Sequence, residues 1–176
     1  MPADHVYNVL FLCTGNSARS ILGEALINHV GNGRFRGFSA GSMPKGEVHP
    51  LTLQTLRNAG ISIDGLRSKP WDEFATADAP KMDFVFTVCD NAAGEACPVW
   101  PGQPMTAHWG IEDPAAVAGP YFKQQAAFED ALTYLRNRVA AFMSLPLESI
   151  DRMALTSKLR GIGAMEGSTS KSAGAA

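Results

Sequence analysis

One stretch decides the fold of this chain: Val9-Leu10-Phe11-Leu12-Cys13-Thr14-Gly15-Asn16-Ser17-Ala18-Arg19-Ser20-Ile21-Leu22. It begins as an apolar run of strand length and breaks at Gly15-Asn16. It then resumes with apolar residues at helical spacing, which are Ile21, Leu22, Ala25, Leu26 and Val30. The pattern predicts a strand, a tight loop and a helix. Gly15 and Asn16 suit the loop because both tolerate the left-handed backbone conformation that such a turn requires.

The loop is typical of a binding site for a tetrahedral oxyanion. Its successive backbone N–H groups turn toward one point at the positive end of the helix. Cys13 opens the loop, where these N–H groups and the helix dipole are expected to lower the pKa of its thiol and make it a nucleophile. Arg19 closes the loop with a planar guanidinium that grips two oxygens of an anion. The candidate anion-binding residues are Thr14, Gly15, Asn16, Ser17, Ala18, Arg19 and Ser20.

The spacing Cys-(five residues)-Arg-Ser, from Cys13 to Ser20, resembles the phosphate loop of the low-molecular-weight protein tyrosine phosphatases. It resembles still more closely the arsenate reductases that share their fold. Ala18 stands where many relatives carry a second cysteine, which leaves the nucleophile and the arginine untouched. Ile21 replaces the proline that many tyrosine phosphatases carry after Arg-Ser, which weakens the phosphatase interpretation.

Length and composition limit the number of domains and the classes of binding partner. The chain has 176 residues, of which 45% are hydrophobic, and a net charge of −2. These values favour a single domain, predicted for residues 1–161, that binds neither nucleic acid nor a membrane. Residues 162–176 are mostly Gly, Ser and Ala with little to bury, so we expect a disordered tail. The N-terminus lacks a signal pattern, so we expect a cytoplasmic protein.

The order of apolar segments predicts an α/β fold, a doubly wound four-stranded parallel sheet flanked by helices, as the resemblance also implies. Later strands are predicted at 34–41, 82–88 and 105–109, and helices at 50–58, at 122–142 and from Glu148 to about Leu159. His49, just before the second helix, is expected to be a cap or surface residue rather than a catalytic base.

Cys89 ends the predicted strand 82–88, and Cys97 follows after a run of small and polar residues that is able to rearrange. Because ligand sites lie at the carboxyl ends of parallel strands, Cys13 and Cys89 are expected to meet at one edge of the sheet. In a cytoplasmic chain these thiols are catalytic, redox-active or incidental rather than structural disulfides, and their spacing gives no metal site. The segment from Cys89 to Cys97 resembles the redox segment of thioredoxin-coupled arsenate reductases.

Asp113 lies on the loop after the last predicted strand, where it would stand over the same site as Cys13 and deliver a proton to a departing oxygen. Asp-Pro is also common in plain turns. The whole string from His108 to Pro114, His-Trp-Gly-Ile-Glu-Asp-Pro, resembles the reductases, and its Asp-Pro matches the general-acid position of both families.

The resemblance implies reduction of arsenate to arsenite, with phosphate and sulfate as competing anions. Cys13 attacks arsenic, Asp113 protonates the leaving oxygen, and disulfides form first between Cys13 and Cys89 and then between Cys89 and Cys97. Thioredoxin or a similar dithiol protein resets the enzyme, and no cofactor is implied. Two alternatives remain open: a phosphomonoester phosphatase that works through a phosphocysteine, and a binding module that senses an oxyanion or redox state without turnover.

Overall fold

The computed structural model describes residues 4–94, 98 and 100–169. The strands are β1 Tyr7–Cys13, β2 Phe35–Gly41, β3 Phe84–Thr87 and β4 Met105–His108. The helices are α1 Arg19–Val30, α2 Pro50–Asn58, α3 Asp90–Gly94, α4 Tyr121–Met143 and α5 Arg152–Gly163. Short 3-10 helices lie at Trp71–Phe74 and Pro114–Ala116. No described helix is long and apolar enough to cross a membrane.

The four strands form one parallel sheet in the order β2-β1-β3-β4, which confirms the predicted fold class. The register pairs Cys13 with Gly41 and Leu12 with Thr87. The strands therefore end together, and Cys13 and Cys89 come to the same edge of the sheet, as the sequence predicts.

Side chains alternate across β1 and fill a core on each face of the sheet. Tyr7, Val9 and Phe11 face a large cluster that includes Leu26 of α1, Leu135 of α4 and Leu159 of α5. Leu10 and Leu12 face a smaller cluster with Phe74 and Trp100. Because β1 is buried on both faces, its sequence is continuously apolar rather than alternating.

Two elements differ from expectation. Residues 90–94 form the single-turn helix α3, whose start is held by the amide of Ala93 donating to the carbonyl of Cys89 at 3.3 Å. Helix α5 begins at Arg152 rather than at Glu148, because Asp151 caps it by accepting a hydrogen bond from the amide of Ala154 at 2.9 Å.

The C-terminal residues also correct an expectation. Residues 162–169 were expected to be disordered with the rest of the tail, but helix α5 continues to Gly163 and residues 164–169 pack against the domain. The fully buried guanidinium of Arg138 donates to the carbonyls of Met165 and Glu166 at 2.9 and 3.0 Å. These hydrogen bonds hold the segment, and the side chain of Met165 packs against the large core cluster. Residues 170–176 lie outside the described part of the chain.

Candidate active site

The loop between β1 and α1 points its carbonyls outward. The amides of Met43 and Lys45 donate to the carbonyls of Thr14 and Gly15 at 3.0 and 2.9 Å. The carbonyl of Ser17 accepts hydrogen bonds from the amide of His49 and from the hydroxyl of Thr52. The amide of Thr14 donates to the Cys89 sulfur. With the loop carbonyls engaged by neighbouring segments, the remaining loop N–H groups are suited to bind an anion.

Helix α1 starts at this loop without a side-chain cap, since the N-cap residue is Ala18. A helix start leaves N–H groups without intrahelical partners, and the helix dipole makes that end positive. The first turn of α1 is therefore suited to receive a negatively charged ligand.

Asn16 supplies the left-handed turn at φ 44°, whereas Gly15 is not among the described residues with positive φ. Of the two residues that tolerate this conformation, Asn16 adopts it. A Cβ at Gly15 would approach the exposed side chain of Lys45 to 3.2 Å, a contact that a small movement of that flexible side chain relieves. Asn16 is fully buried, and its amide nitrogen donates to the hydroxyls of Ser20 and Ser39 at 2.8 and 3.0 Å.

A buried ion pair lies beneath the loop. The ammonium of Lys69 lies 3.4 Å from the carboxylate of Glu24 and donates to the carbonyl of Arg67 at 2.7 Å. Burial lowers the pKa of Lys69, and the charge of Glu24 opposes that shift. The amide of Lys69 also donates to the side-chain oxygen of Asn16, so this pair supports the residue that shapes the loop.

A cavity of about 300 Å³ opens inside the loop. It is lined by Cys13, Thr14, Gly15, Asn16, Ser17, Ala18, Arg19, Met43, Lys45, Asn91 and Asp113. All the predicted anion-binding residues except Ser20 line it. Ser20 lies behind the cavity wall, fully buried, with its hydroxyl 2.9 Å from the Cys13 sulfur.

Arg19 and Asp113 meet at the rim of this cavity. One guanidinium nitrogen of Arg19 donates to the carbonyl of Ile111 at 3.0 Å, and another lies 3.7 Å from a carboxylate oxygen of Asp113. The other oxygen of Asp113 accepts a hydrogen bond from the amide of Ala115 at 3.0 Å, which fixes the carboxylate at the start of a 3-10 helix. The Asp113 side chain is 39% exposed, so its carboxylate is in contact with solvent at the rim.

Cys89 packs against the base of the loop. Its sulfur accepts hydrogen bonds from the amides of Thr14 and Ala92, each at 3.4 Å, and lies 3.7 Å from the Thr14 hydroxyl. Both Cys13 and Cys89 are buried and free. The structure thus brings together Cys13, Arg19, Asp113 and Cys89, and Cys97 lies outside the described residues.

The pKa of Cys13 corrects an expectation. Burial raises the pKa of its thiol, and the hydrogen bond from Ser20 opposes that shift. The nearby Cys89 raises the pKa further, and the charge of Arg19 lowers it. Burial of the sulfur therefore outweighs the favourable groups around it, and the fraction of thiolate grows as the pH rises above neutral.

Ser20→Ala is expected to slow alkylation of Cys13 by iodoacetamide at pH 8 by about three- to tenfold. Loss of the hydrogen bond raises the pKa of the Cys13 thiol and so lowers the thiolate fraction at pH 8, and the greater nucleophilicity of a more basic thiolate offsets part of this. The rate is measured by mass spectrometry in a background with Cys89→Ser and Cys97→Ser.

Ser144→Ala removes a hydroxyl from the exposed end of α4 and is the matched control, with no change expected. An unchanged rate and pH profile in Ser20→Ala would show that this hydroxyl does not tune the Cys13 thiol.

His49 caps α2, as expected, because its Nδ1 accepts a hydrogen bond from the amide of Leu51 at 3.0 Å. Burial lowers its pKa, and the charge of Lys45 lowers it further. Lys45 itself, with Met43 and Asn91, lines the cavity without having been singled out in the sequence. Asn91 could have been identified as a site residue, since it lies two residues after Cys89. Nothing in the sequence places Met43 and Lys45 over the loop.

Within residues 4–94, 98 and 100–169, no group of three or more His, Cys, Asp or Glu side chains is arranged to hold a metal ion.

Comparison with known proteins places the chain in a family. Residues 8–155 match the family described as low molecular weight phosphotyrosine protein phosphatase. The arsenate reductase of Bacillus subtilis is 31% identical over 76% of this chain and 93% of its own length. A solved arsenate reductase in the phosphate binding state shares 28% identity with a TM-score of 0.62, over 77% of this chain and 95% of its own. The thioredoxin-dependent arsenate reductase of Corynebacterium glutamicum shares 28% identity with a TM-score of 0.54, over 77% of this chain and 61% of its own.

Proposed function

The chain belongs to the low molecular weight phosphotyrosine protein phosphatase family, and with arsenate reductases among its relatives we propose that it reduces arsenate to arsenite. One observation carries the proposal: a second buried thiol, Cys89, packs against the base of the loop that presents Cys13. A phosphatase needs one nucleophilic thiol in this loop, whereas reduction of arsenate needs two electrons, which a pair of thiols supplies.

The first half of the reaction takes place in the loop cavity. Arsenate, a tetrahedral oxyanion, is held by the loop N–H groups and by the guanidinium of Arg19. The Cys13 thiolate attacks arsenic and forms a sulfur–arsenic bond. Asp113 protonates the departing oxygen, which leaves as water.

The second half moves two electrons to arsenic. The Cys89 thiolate attacks the Cys13 sulfur and forms a disulfide. The sulfur–arsenic bond breaks with its electron pair remaining on arsenic, which leaves as arsenite. Cys97 then attacks the Cys89 sulfur and frees Cys13. A thioredoxin-like dithiol protein reduces the resulting disulfide between Cys89 and Cys97 and becomes oxidised itself.

The proposal has consequences for competing ligands and for location. Phosphate and sulfate have the shape and charge of arsenate, so both compete for the loop. The relay depends on an external dithiol, which the cytoplasm maintains in its reduced form.

Phosphomonoester hydrolysis, the alternative expected from the sequence, is not the favoured assignment. Relatives that are 31% to 34% identical to this chain are named arsenate reductases. Cys13, Arg19 and Asp113 are also the residues needed to form and hydrolyse a phosphocysteine intermediate. Weak hydrolysis of p-nitrophenyl phosphate therefore measures the function of these three residues without the disulfide relay.

The test is arsenate-dependent oxidation of NADPH by the purified protein coupled to thioredoxin and thioredoxin reductase, with p-nitrophenyl phosphate hydrolysis measured in parallel. We expect sustained NADPH oxidation that requires arsenate, with only weak phosphatase activity. Efficient phosphatase activity, with no arsenate-dependent oxidation using thioredoxin or glutathione with glutaredoxin, would overturn the proposal.

Lys45→Met is expected to raise the KM for arsenate by about three- to tenfold with little change in kcat. Lys45 is an exposed cation at the mouth of the cavity, and such charges concentrate an anionic substrate without taking part in the chemistry. The difference from wild type should shrink as ionic strength rises, since salt screens exposed charges.

Lys158→Met, on the exposed face of α5, makes the same change in net charge away from the site. Equal KM shifts in both variants would assign the effect to net charge rather than to the position of Lys45.

A further inference from the structure

The C-terminal segment, residues 164–169, returns to the edge of the sheet that carries the active site. The amide of Thr169 donates to the carbonyl of Gly110 at 3.0 Å, and Ser168 forms an antiparallel bridge with Ile111. The family match ends at residue 155, before this segment begins.

The core of the domain fixes the path of the C-terminal segment. The guanidinium of Arg138 donates hydrogen bonds to the carbonyls of Gly163, Met165 and Glu166. Gly167 adopts φ 93° directly over the ring of Tyr134, where a Cβ would lie 2.4 Å from the ring. Contacts with α4 that lie away from the active site therefore fix the path of the chain that leads to Thr169.

Thr169 ends in a hydrogen-bonded cluster beside Cys89. Its hydroxyl donates to a carboxylate oxygen of Asp90 at 2.7 Å. The same oxygen lies 2.7 Å from Nε2 of His108, whose Nδ1 lies 2.7 Å from the hydroxyl of Thr87. The cluster closes over Gly110, where a Cβ would come within 2.8 Å of Asp90, His108 and Thr169.

Asp90 connects this cluster to the redox chemistry. It directly follows Cys89 and is the first residue of α3, whose amide at Ala92 donates to the Cys89 sulfur. A polar cleft of about 320 Å³ lies here, with Cys89, Asp90 and Thr169 among its lining residues. Arg19 and Asp113 line both this cleft and the loop cavity. The C-terminal segment thus forms part of the wall next to the second thiol.

We propose that Thr169 is a positioning residue for Cys89: through its hydrogen bond to Asp90 it holds the first turn of α3 and keeps the Cys89 sulfur against the loop. In the relay, whose existence rests on the proposed function, this placement serves the attack of Cys89 on Cys13. Chemistry that needs Cys13 alone does not depend on it.

The test measures the accessibility of Cys89 without arsenate, so its outcome is independent of the proposed function. In a background with Cys13→Ser and Cys97→Ser, Cys89 is the remaining thiol and its alkylation by iodoacetamide is followed. Thr169→Val is expected to speed alkylation by about tenfold, the effect of losing one hydrogen bond to a charged group. Thr169→Ser retains the hydroxyl and should behave as wild type, as should Thr156→Val on the exposed face of α5.

A second measurement separates positioning from general loosening of the fold. In a background with Cys89→Ser and Cys97→Ser, Thr169→Val should leave the alkylation rate of Cys13 and the hydrolysis of p-nitrophenyl phosphate unchanged. An unchanged rate at Cys89, or equal acceleration at both cysteines, would overturn the proposal. With all three cysteines present, Thr169→Val should lower arsenate turnover several-fold.

Discussion

Cys89→Ser is expected to lower multiple-turnover arsenate reduction by at least about a thousandfold, because a serine hydroxyl cannot form the disulfide that releases arsenite. Hydrolysis of p-nitrophenyl phosphate should remain near the wild-type rate. The Cys89 sulfur accepts a hydrogen bond from the amide of Thr14 at 3.4 Å, and a serine oxygen is also able to accept it. The loop that carries Cys13 should therefore keep its shape, and the two activities should separate.

Cys97→Ser is the companion variant for this prediction. With Cys89 present but the second exchange blocked, the protein should release one equivalent of arsenite and retain a Cys13–Cys89 disulfide, detected by mass spectrometry without reduction. Arsenate turnover that survives in both variants would contradict the relay. A parallel loss of phosphatase activity in Cys89→Ser would instead indicate that Cys89 supports the structure of the loop.

The fold and the location of the site were predictable because local sequence patterns determine them. The continuous apolar run of β1 followed at once by a helical pattern permits few folds other than a parallel sheet with a loop at its carboxyl edge. Cys13, Arg19, Cys89 and Asp113 lie at or just after strand ends, so the topology alone brings them together. Each of these patterns involves residues that are close together in the sequence, so each can be recognised without knowledge of the tertiary structure.

The properties that the sequence missed depend on contacts between distant residues. Residues 164–169 have a composition typical of disorder, but they are held by Arg138, whose need for carbonyl partners cannot be inferred from its position in a helix. The pKa of Cys13 was expected to fall because the loop supplies favourable dipoles. Its sulfur is buried among several elements, and that burial, which no local pattern indicates, decides the direction.

Arg19→Lys is expected to lower kcat/KM for arsenate by roughly a hundred- to a thousandfold, because lysine supplies a charge but not the planar pair of donors that fits two oxygens of an oxyanion. The guanidinium of Arg19 is fixed by the carbonyl of Ile111 at 3.0 Å and lies 3.7 Å from Asp113. A lysine ammonium is a point charge that cannot reproduce both contacts while it also grips the anion.

Hydrolysis of p-nitrophenyl phosphate should fall in parallel in Arg19→Lys, since both reactions use the same grip on a tetrahedral anion. This pattern distinguishes Arg19 from Cys89, whose loss separates the two activities. Arg36→Lys, at an exposed position of β2, is the matched control and should leave both reactions unchanged. If Arg19→Lys impaired arsenate reduction alone, Arg19 would act on the disulfide exchange rather than on the bound anion. The assignment of Arg19 as the anion-binding cation of the loop cavity would then be wrong.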